Sequence, residues 1–283
     1  MLRSMYAGIS GMQGSQTKLD VIGNNIANVN TSGFKKGRVT FQDMMSQTTS
    51  GAQGPTDTRG GVNPNQVGLG SKQGTIDNIQ TQGFLETTEN PLDLAIEGDG
   101  MFQVEEGEAQ GDGAPYYTRA GNFYLDDEGD IINPDGYYLT GEATVESAAQ
   151  DGNVTEGDII RLTIPDEAQS FSIQSNGIVN YVDAEGGTQE AGQIVLANFS
   201  NPAGLEKAGN NLFLDSPNAG YNDLVPPETA GTGSLVSGTL EMSNVDLAEE
   251  FTEMITAQRA FQANTRIITT SDEILQELVN LKR

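Results

Sequence analysis

The sequence predicts an α+β fold: long N- and C-terminal α-helices that pair as a coiled coil, joined through an extended arm to a mainly antiparallel β domain. Three observations carry this expectation. Apolar residues recur in alternating steps of three and four at both ends of the chain. Short runs of β-forming residues, each closed by Gly, Asn or Asp, fill the middle. Stretches rich in Gly, Gln, Ser and Thr separate these regions.

The first helix is expected over residues 1–32. Leu2, Met5, Ile9, Met12, Leu19 and Ile26 follow one heptad seam, interrupted by Gln16 and Gly23, and Ile22 lies beside it. Asn24, Asn25, Asn28 and Asn30 favour caps and turns, so the helix should end near Thr31-Ser32-Gly33. Residues 33–74 are expected to form the extended arm, and 217–238 have a similar linker-like composition. The β domain is expected over 75–240, as a sandwich or barrel-like array. Gly98-Asp99-Gly100 and Ser175-Asn176-Gly177 read as hairpin turns, and Gly192–Phe199 as a buried strand. A short polar insertion or loop is expected within 142–169.

The C-terminal helix is expected over 241–283. Asp246 with Glu249 three residues later reads as a capping box. Beyond it, Leu247, Phe251, Met254, Phe261, Ile268, Leu275 and Val279 form a heptad seam. A helix from Asp246 to Lys282 would be about 55 Å long. Ile255, Ile267, Ile274, Leu278 and Leu281 form a second stripe, and one partner helix cannot cover both. The two seams together are the candidate assembly surface.

Charge and composition exclude several functions. Lys and Arg number 14 against 40 Asp and Glu, for a formal net charge of −26, which repels nucleic acid. An acidic balance of this size also marks salty or alkaline habitats. Residues 1–40 are basic, with Arg3, Lys18, Lys35, Lys36 and Arg38 against Asp20. On composition alone, Lys35, Lys36 and Arg38 read as a solvated basic turn. The chain has no Cys and no His, which removes disulfides, thiol chemistry and the commonest metal ligand. Asp126–Tyr137 imitates a calcium loop, but Ile131 stands where the turn needs Gly and Tyr137 where a bidentate Glu is required. No catalytic, cofactor or metal set emerges. No run of 18 apolar residues is present, so membrane insertion is not expected, and the first residues lack a signal-peptide core.

Long motifs then narrow the reading. The stretch from Met1 to Met44, the stretch from Ser237 to Lys282, and the internal segments DLAIEGDGMFQV and FSNPAGLEKAGNNLFLDS resemble the bacterial flagellar rod and hook axial proteins. The resemblance implies a structural, non-enzymatic subunit that forms a homopolymer. It implies a place in the torque-transmitting hook, with the distal rod as the alternative. It also implies export through the flagellar apparatus without cleavage, a location in the basal body and hook, and contacts with the distal rod protein, the hook cap and the hook–filament junction proteins. The terminal helices would form an inner tube, ordered on assembly, with the β domain outside, and the arm would bridge neighbouring copies, its Lys35, Lys36 and Arg38 meeting acidic surfaces of adjacent β domains. Against this structural class stands one of another kind, a secreted acidic β-rich binding module.

Overall fold

A computed structural model describes residues 2–56, 58–107, 115–144, 158–165 and 168–281. Residues 145–157 and 166–167 of the expected insertion, and Lys282 at the expected helix end, lie outside the described residues. The chain divides into two compact units, one of Met1–Ala27, Gly37–Ile79 and Val245–Arg283, the other of Asn28–Lys36 and Gln80–Asn244.

The first unit contains helices α1 (Leu2–Ala27) and α2 (Leu247–Leu281) and strands β1 (Gly37–Asp43), β2 (Ser46–Ser50), β3 (Asn65–Gly68) and β4 (Ser71–Asn78). Asp246 starts α2 as expected: its Oδ1 accepts the N–H of Ala248 at 2.8 Å and that of Glu249 at 3.4 Å. Asp246→Ala removes this acceptor and is expected to lower helix stability by about 1 kcal/mol; the far-UV circular dichroism melting curve of the full chain checks it.

The segment expected as an extended arm is a two-stranded ribbon. β1 pairs with β4 from Gly37↔Asn78 to Asp43↔Ser71, β2 pairs with β3, and bridges Gln53↔Val62 and Thr56↔Arg59 prolong the ladder. The polar composition concealed it because a ribbon wet on both faces needs no apolar alternation; its ladder satisfies the backbone and its side chains need not be buried. Phe41 anchors its base, since a methyl placed on Gly14 of α1 would stand 2.9 Å from the Phe41 ring.

The second unit holds the remaining strands. They are β5 (Leu85–Thr87), β6 (Leu94–Glu97), β7 (Met101–Glu105), β8 (Pro115–Thr118), β9 (Tyr124–Leu125), β10 (Ile131–Ile132), β11 (Tyr138–Glu142), β12 (Ile159–Arg161), β13 (Ser170–Ile173), β14 (Ile178–Val182), β15 (Thr188–Ile194), β16 (Leu196–Phe199), β17 (Glu206–Gly209), β18 (Leu212–Leu214), β19 (Tyr221–Val225), β20 (Ser234–Ser237) and β21 (Thr239–Glu241). The main path runs β13-β14-β15-β11-β7-β8-β18-β17, and β5 with β21 and β6 with β20 form separate pairs. All named pairings are antiparallel. The stretch 217–238, with linker-like composition, thus contains β19 and β20.

Two apolar clusters sit on opposite faces of β7. Phe102 and Val104 join Leu94, Ile131, Leu139 and Ile194 in the larger one; Met101 joins Tyr117, Phe199 and Phe213 in the smaller. β7 is therefore buried on both faces, and the period-2 alternation distributes its residues between the two clusters. Ser175-Asn176-Gly177 closes a true hairpin between β13 and β14, with Gly177 at φ +89°. Gly98-Asp99-Gly100 turns the chain without making one: β6 pairs with β20 while β7 pairs with β8, β11 and β16. A turn signal specifies reversal of the chain but not the partner that each flanking strand takes.

Candidate assembly site

Within the first unit the two helices run antiparallel and touch along a line of small and polar residues. A methyl on Gly8 would lie 3.3 Å from Ile268 Cγ1, and one on Gly11 would lie 2.7 Å from Asn264 Nδ2. Lys18 pairs with Glu253 at 3.0 Å, and Asn25 donates to buried Glu250 at 3.1 Å. On α1 the line includes Gly8, Gly11, Lys18, Ile22 and Asn25, steps of three, four and seven; on α2 it passes Glu250, Ala257, Asn264 and Ser271. Both residue sets keep a heptad rhythm, but in a phase different from the most apolar columns.

The sequence-derived seam residues therefore divide. Ile22 is buried, and Met5, Met12, Leu19, Ile26, Met254, Phe261, Ile268 and Leu275 are half-buried at the flanks of the contact line. Ile9, Leu247, Phe251 and Val279 are exposed, as are Ile255, Ile267, Ile274, Leu278 and Leu281 of the second stripe. The side chain of Leu2 lies outside the described residues. Among the described residues, 16 large apolar side chains are exposed in the helical unit and six in the β unit. The unpartnered apolar surface of the single chain is thus concentrated on the helices and ribbon.

Asn25 ties α1 to the ribbon through its side-chain amide. Its Nδ2 donates to the carbonyl of Gly37 and its Oδ1 accepts the Gly37 N–H, both at 2.9 Å. It fixes the start of the ribbon to the last turns of α1. Asn28 lies past the helix end, where its side-chain oxygen accepts from Thr31 Oγ1 at 3.2 Å.

Of the three basic residues expected to reach a neighbour, Lys35 cannot do so. It is 1% exposed, and its ammonium donates to Glu241 Oε1 at 2.6 Å and to the Thr81 carbonyl at 2.9 Å. Arg119 Nη1 donates to the other Glu241 oxygen at 3.2 Å, and the Gly83 N–H to Oε1 at 2.8 Å. Burial pushes the Lys35 pKa below its ordinary value; Glu241 opposes this and Arg119 adds to it. Lys35 and Glu241 are 206 residues apart, so no local pattern signalled their pairing. Arg38 is largely exposed and stands 3.8 Å from Asp77 across the ribbon, while the Lys36 N–H donates to Asn244 Oδ1 at 2.8 Å. Gly33 makes the approach possible: its φ is +69°, and a Cβ there would lie 2.5 Å from the Ala120 backbone nitrogen.

Among the described residues no cluster of three or more Asp, Glu, His or Cys stands where it could hold a metal, and no helix is long and apolar enough to cross a membrane.

Comparison with known proteins fits this picture. Residues 5–35 match the family described as Flagella basal body rod protein, residues 95–181 the Flagellar hook protein FlgE/F/G D1 domain, and residues 236–281 the Flagellar basal body rod FlgEFG protein C-terminal. The chain is 56% identical to the flagellar basal-body rod protein FlgG of Bacillus subtilis over 284 positions, covering all of both chains. It is 39% identical to FlgG of Caulobacter vibrioides over 99% of this chain and 100% of that one. It is 31% identical to the flagellar hook protein FlgE of Borreliella burgdorferi, with both chains covered over 446 aligned positions. A helix at each end, an antiparallel β unit between them and full-length similarity to both rod and hook proteins lead to one conclusion: this chain belongs to the family of flagellar rod and hook axial proteins.

Proposed function

We propose that the chain is a subunit of the distal rod, a straight segment of the flagellar axis, rather than of the hook. The observation that carries this reading is the 56% end-to-end identity to a rod protein of matching length. The hook relative needs 446 aligned positions to accommodate the 283 residues here, so it holds sequence for which this chain has no counterpart.

The subunits polymerise through their terminal helices. Inside one chain the helices meet through glycines, amides and an ion pair, which leaves Phe251, Ile255, Ile274 and Leu278 uncovered. Apolar side chains on a helix find cover on another copy; a heterologous contact repeated without closure makes a helical tube. Coiled-coil packing of the helices, with the acidic β unit facing water, completes the proposed wall. Lys36 and Arg38 retain the proposed bridging role between copies that Lys35 loses. The remaining partners are the adjoining rod and hook proteins, with the hook cap and junction proteins further along the axis, and the export apparatus that delivers the chain.

Electron microscopy of the purified polymer tests the assignment. Straight tubes are expected. Curved, supercoiled tubes would return the chain to the hook, and a chain that stays monomeric at every concentration while binding a soluble ligand would favour a binding module.

A further inference from the structure

The chain passes between its two units after Ala27, Lys36, Ile79 and Asn244. Lys36 precedes the first strand of the ribbon, Thr81 follows its last, and Asn244 stands shortly before α2. All three residues belong to the β unit, yet none lies in a strand, so no sheet ladder sets the spacing of these outlets. Side-chain hydrogen bonds do so instead. Asn244 Oδ1 accepts the Lys36 N–H at 2.8 Å, and Asn244 Nδ2 donates to the Thr81 carbonyl at 3.2 Å and to Thr81 Oγ1 at 3.0 Å. Asn244 is 208 residues from Lys36 and 163 from Thr81, so these bonds join parts of the chain that covalent connection leaves independent.

A carboxamide suits this position because one planar group offers both an acceptor and donors. A carboxylate could keep the bond to Lys36 but would lose those to Thr81. The Thr81 carbonyl takes a second donor, the Lys35 ammonium at 2.9 Å, which also reaches Glu241. The two ties differ in their surroundings. Lys35 and Glu241 are buried charges, so breaking their tie strands charge in the core. Asn244 is neutral and half-buried, so its bonds can be removed without that penalty. The ionic tie belongs to the core, and the amide tie to the rim from which the chain departs.

We propose that Asn244 is a conformational staple of the β unit, coupling the outlets at Lys36, Thr81 and Asn244 so that displacement of one is resisted by the other two. It acts as a positioning residue, holding the backbone of two segments to which it does not belong. The inference concerns the β unit alone and stands whether the chain builds rod or hook.

Hydrogen exchange of the 15N-labelled full-length chain, kept dilute, tests it at the Lys36 amide, with the amides of β7 as the reference for the core. Asn244→Ala is expected to speed exchange at Lys36 by about tenfold or more while β7 keeps its protection. The decisive variant is Thr81→Val, which is nearly isosteric and touches neither Lys36 nor Asn244 covalently. Loss of the Thr81 hydroxyl loosens Asn244, so exchange at Lys36, on a different segment, is expected to rise by about threefold. The double variant is expected to exchange no faster at Lys36 than Asn244→Ala alone, because both changes break one coupled unit. Unchanged exchange at Lys36 in Asn244→Ala or in Thr81→Val, additive effects in the double variant, or an equal loss of protection throughout β7 would each overturn the proposal.

Discussion

Glu241→Ala is expected to destabilise the protein by about 3–5 kcal/mol, the cost of leaving buried charge uncompensated. The carboxylate is 1% exposed and serves Lys35, Arg119 and the Gly83 N–H at once. Its loss strands two cations and an amide in a place water does not reach. Lys35→Met is expected to cost far less, because Glu241 keeps Arg119 and Gly83 and the methionine fills most of the same volume. The asymmetry separates a shared acceptor from a simple ion pair, which would predict similar losses from either side. Urea denaturation followed by far-UV circular dichroism reads both; equal costs for the two variants would refute the shared-acceptor account.

The same variant has a pH signature. In the wild type the Lys35 pKa already lies below 10.5 through burial, and Glu241 is the main influence holding it up. Without Glu241 the folded pKa falls further, so between that value and 10.5 the unfolded chain binds more protons than the folded one. Stability then rises with pH in that window. The deficit of Glu241→Ala relative to wild type should shrink as pH is raised from neutral toward 10.5. Comparison at each pH cancels the opposite trend of Tyr117 and Tyr221, whose raised pKa values withdraw stability above about pH 10 in both proteins.

The second large effect concerns assembly. Ile274→Gln with Leu278→Gln is expected to raise the concentration needed for polymerisation by about 10²–10⁴-fold, with the monomer unchanged. The two side chains are one helical turn apart on α2 and both are exposed. Burying each on a neighbour contributes about 1.5–3 kcal/mol, and about 1.4 kcal/mol is tenfold in an equilibrium. Glutamine is neutral and a good helix former, so neither added repulsion nor lost propensity confounds the result. Sedimentation across a concentration series provides the measurement. An unshifted threshold would show that this stripe is not an interface.

These two sites were legible in the sequence to different degrees. Heptad rhythm revealed both terminal helices, and Asp246 marked the start of α2 within one residue. The phase of the intrachain contact was not legible. Periodicity reports that a stripe exists and says nothing about what covers it, and the proposed burial of the apolar columns on other copies would invert the usual inference. The signal that would have helped was the line of Gly8, Gly11 and Asn264, small or amide residues in heptad register opposite one another. The β unit was legible as strands and turns, but partner choice at Gly98–Gly100 and the pairing of Lys35 with Glu241 were not, since both depend on residues distant in sequence. Lys35 looked like one more member of a basic turn. Only its three-dimensional surroundings distinguish it from Arg38.

The long separation between Lys35 and Glu241 also imposes an order in time. A chain that emerges N-terminus first, from a ribosome or a narrow channel, presents Lys35 early and Arg119 midway, yet the carboxylate that both require appears only when β21 arrives. Until then the β unit holds two cations that it cannot bury, and loop closure over 206 residues is the step that lets it finish. A fragment ending at residue 240 should therefore remain open to proteases. Lateness of this kind keeps a polypeptide pliable for as long as it is still in transit.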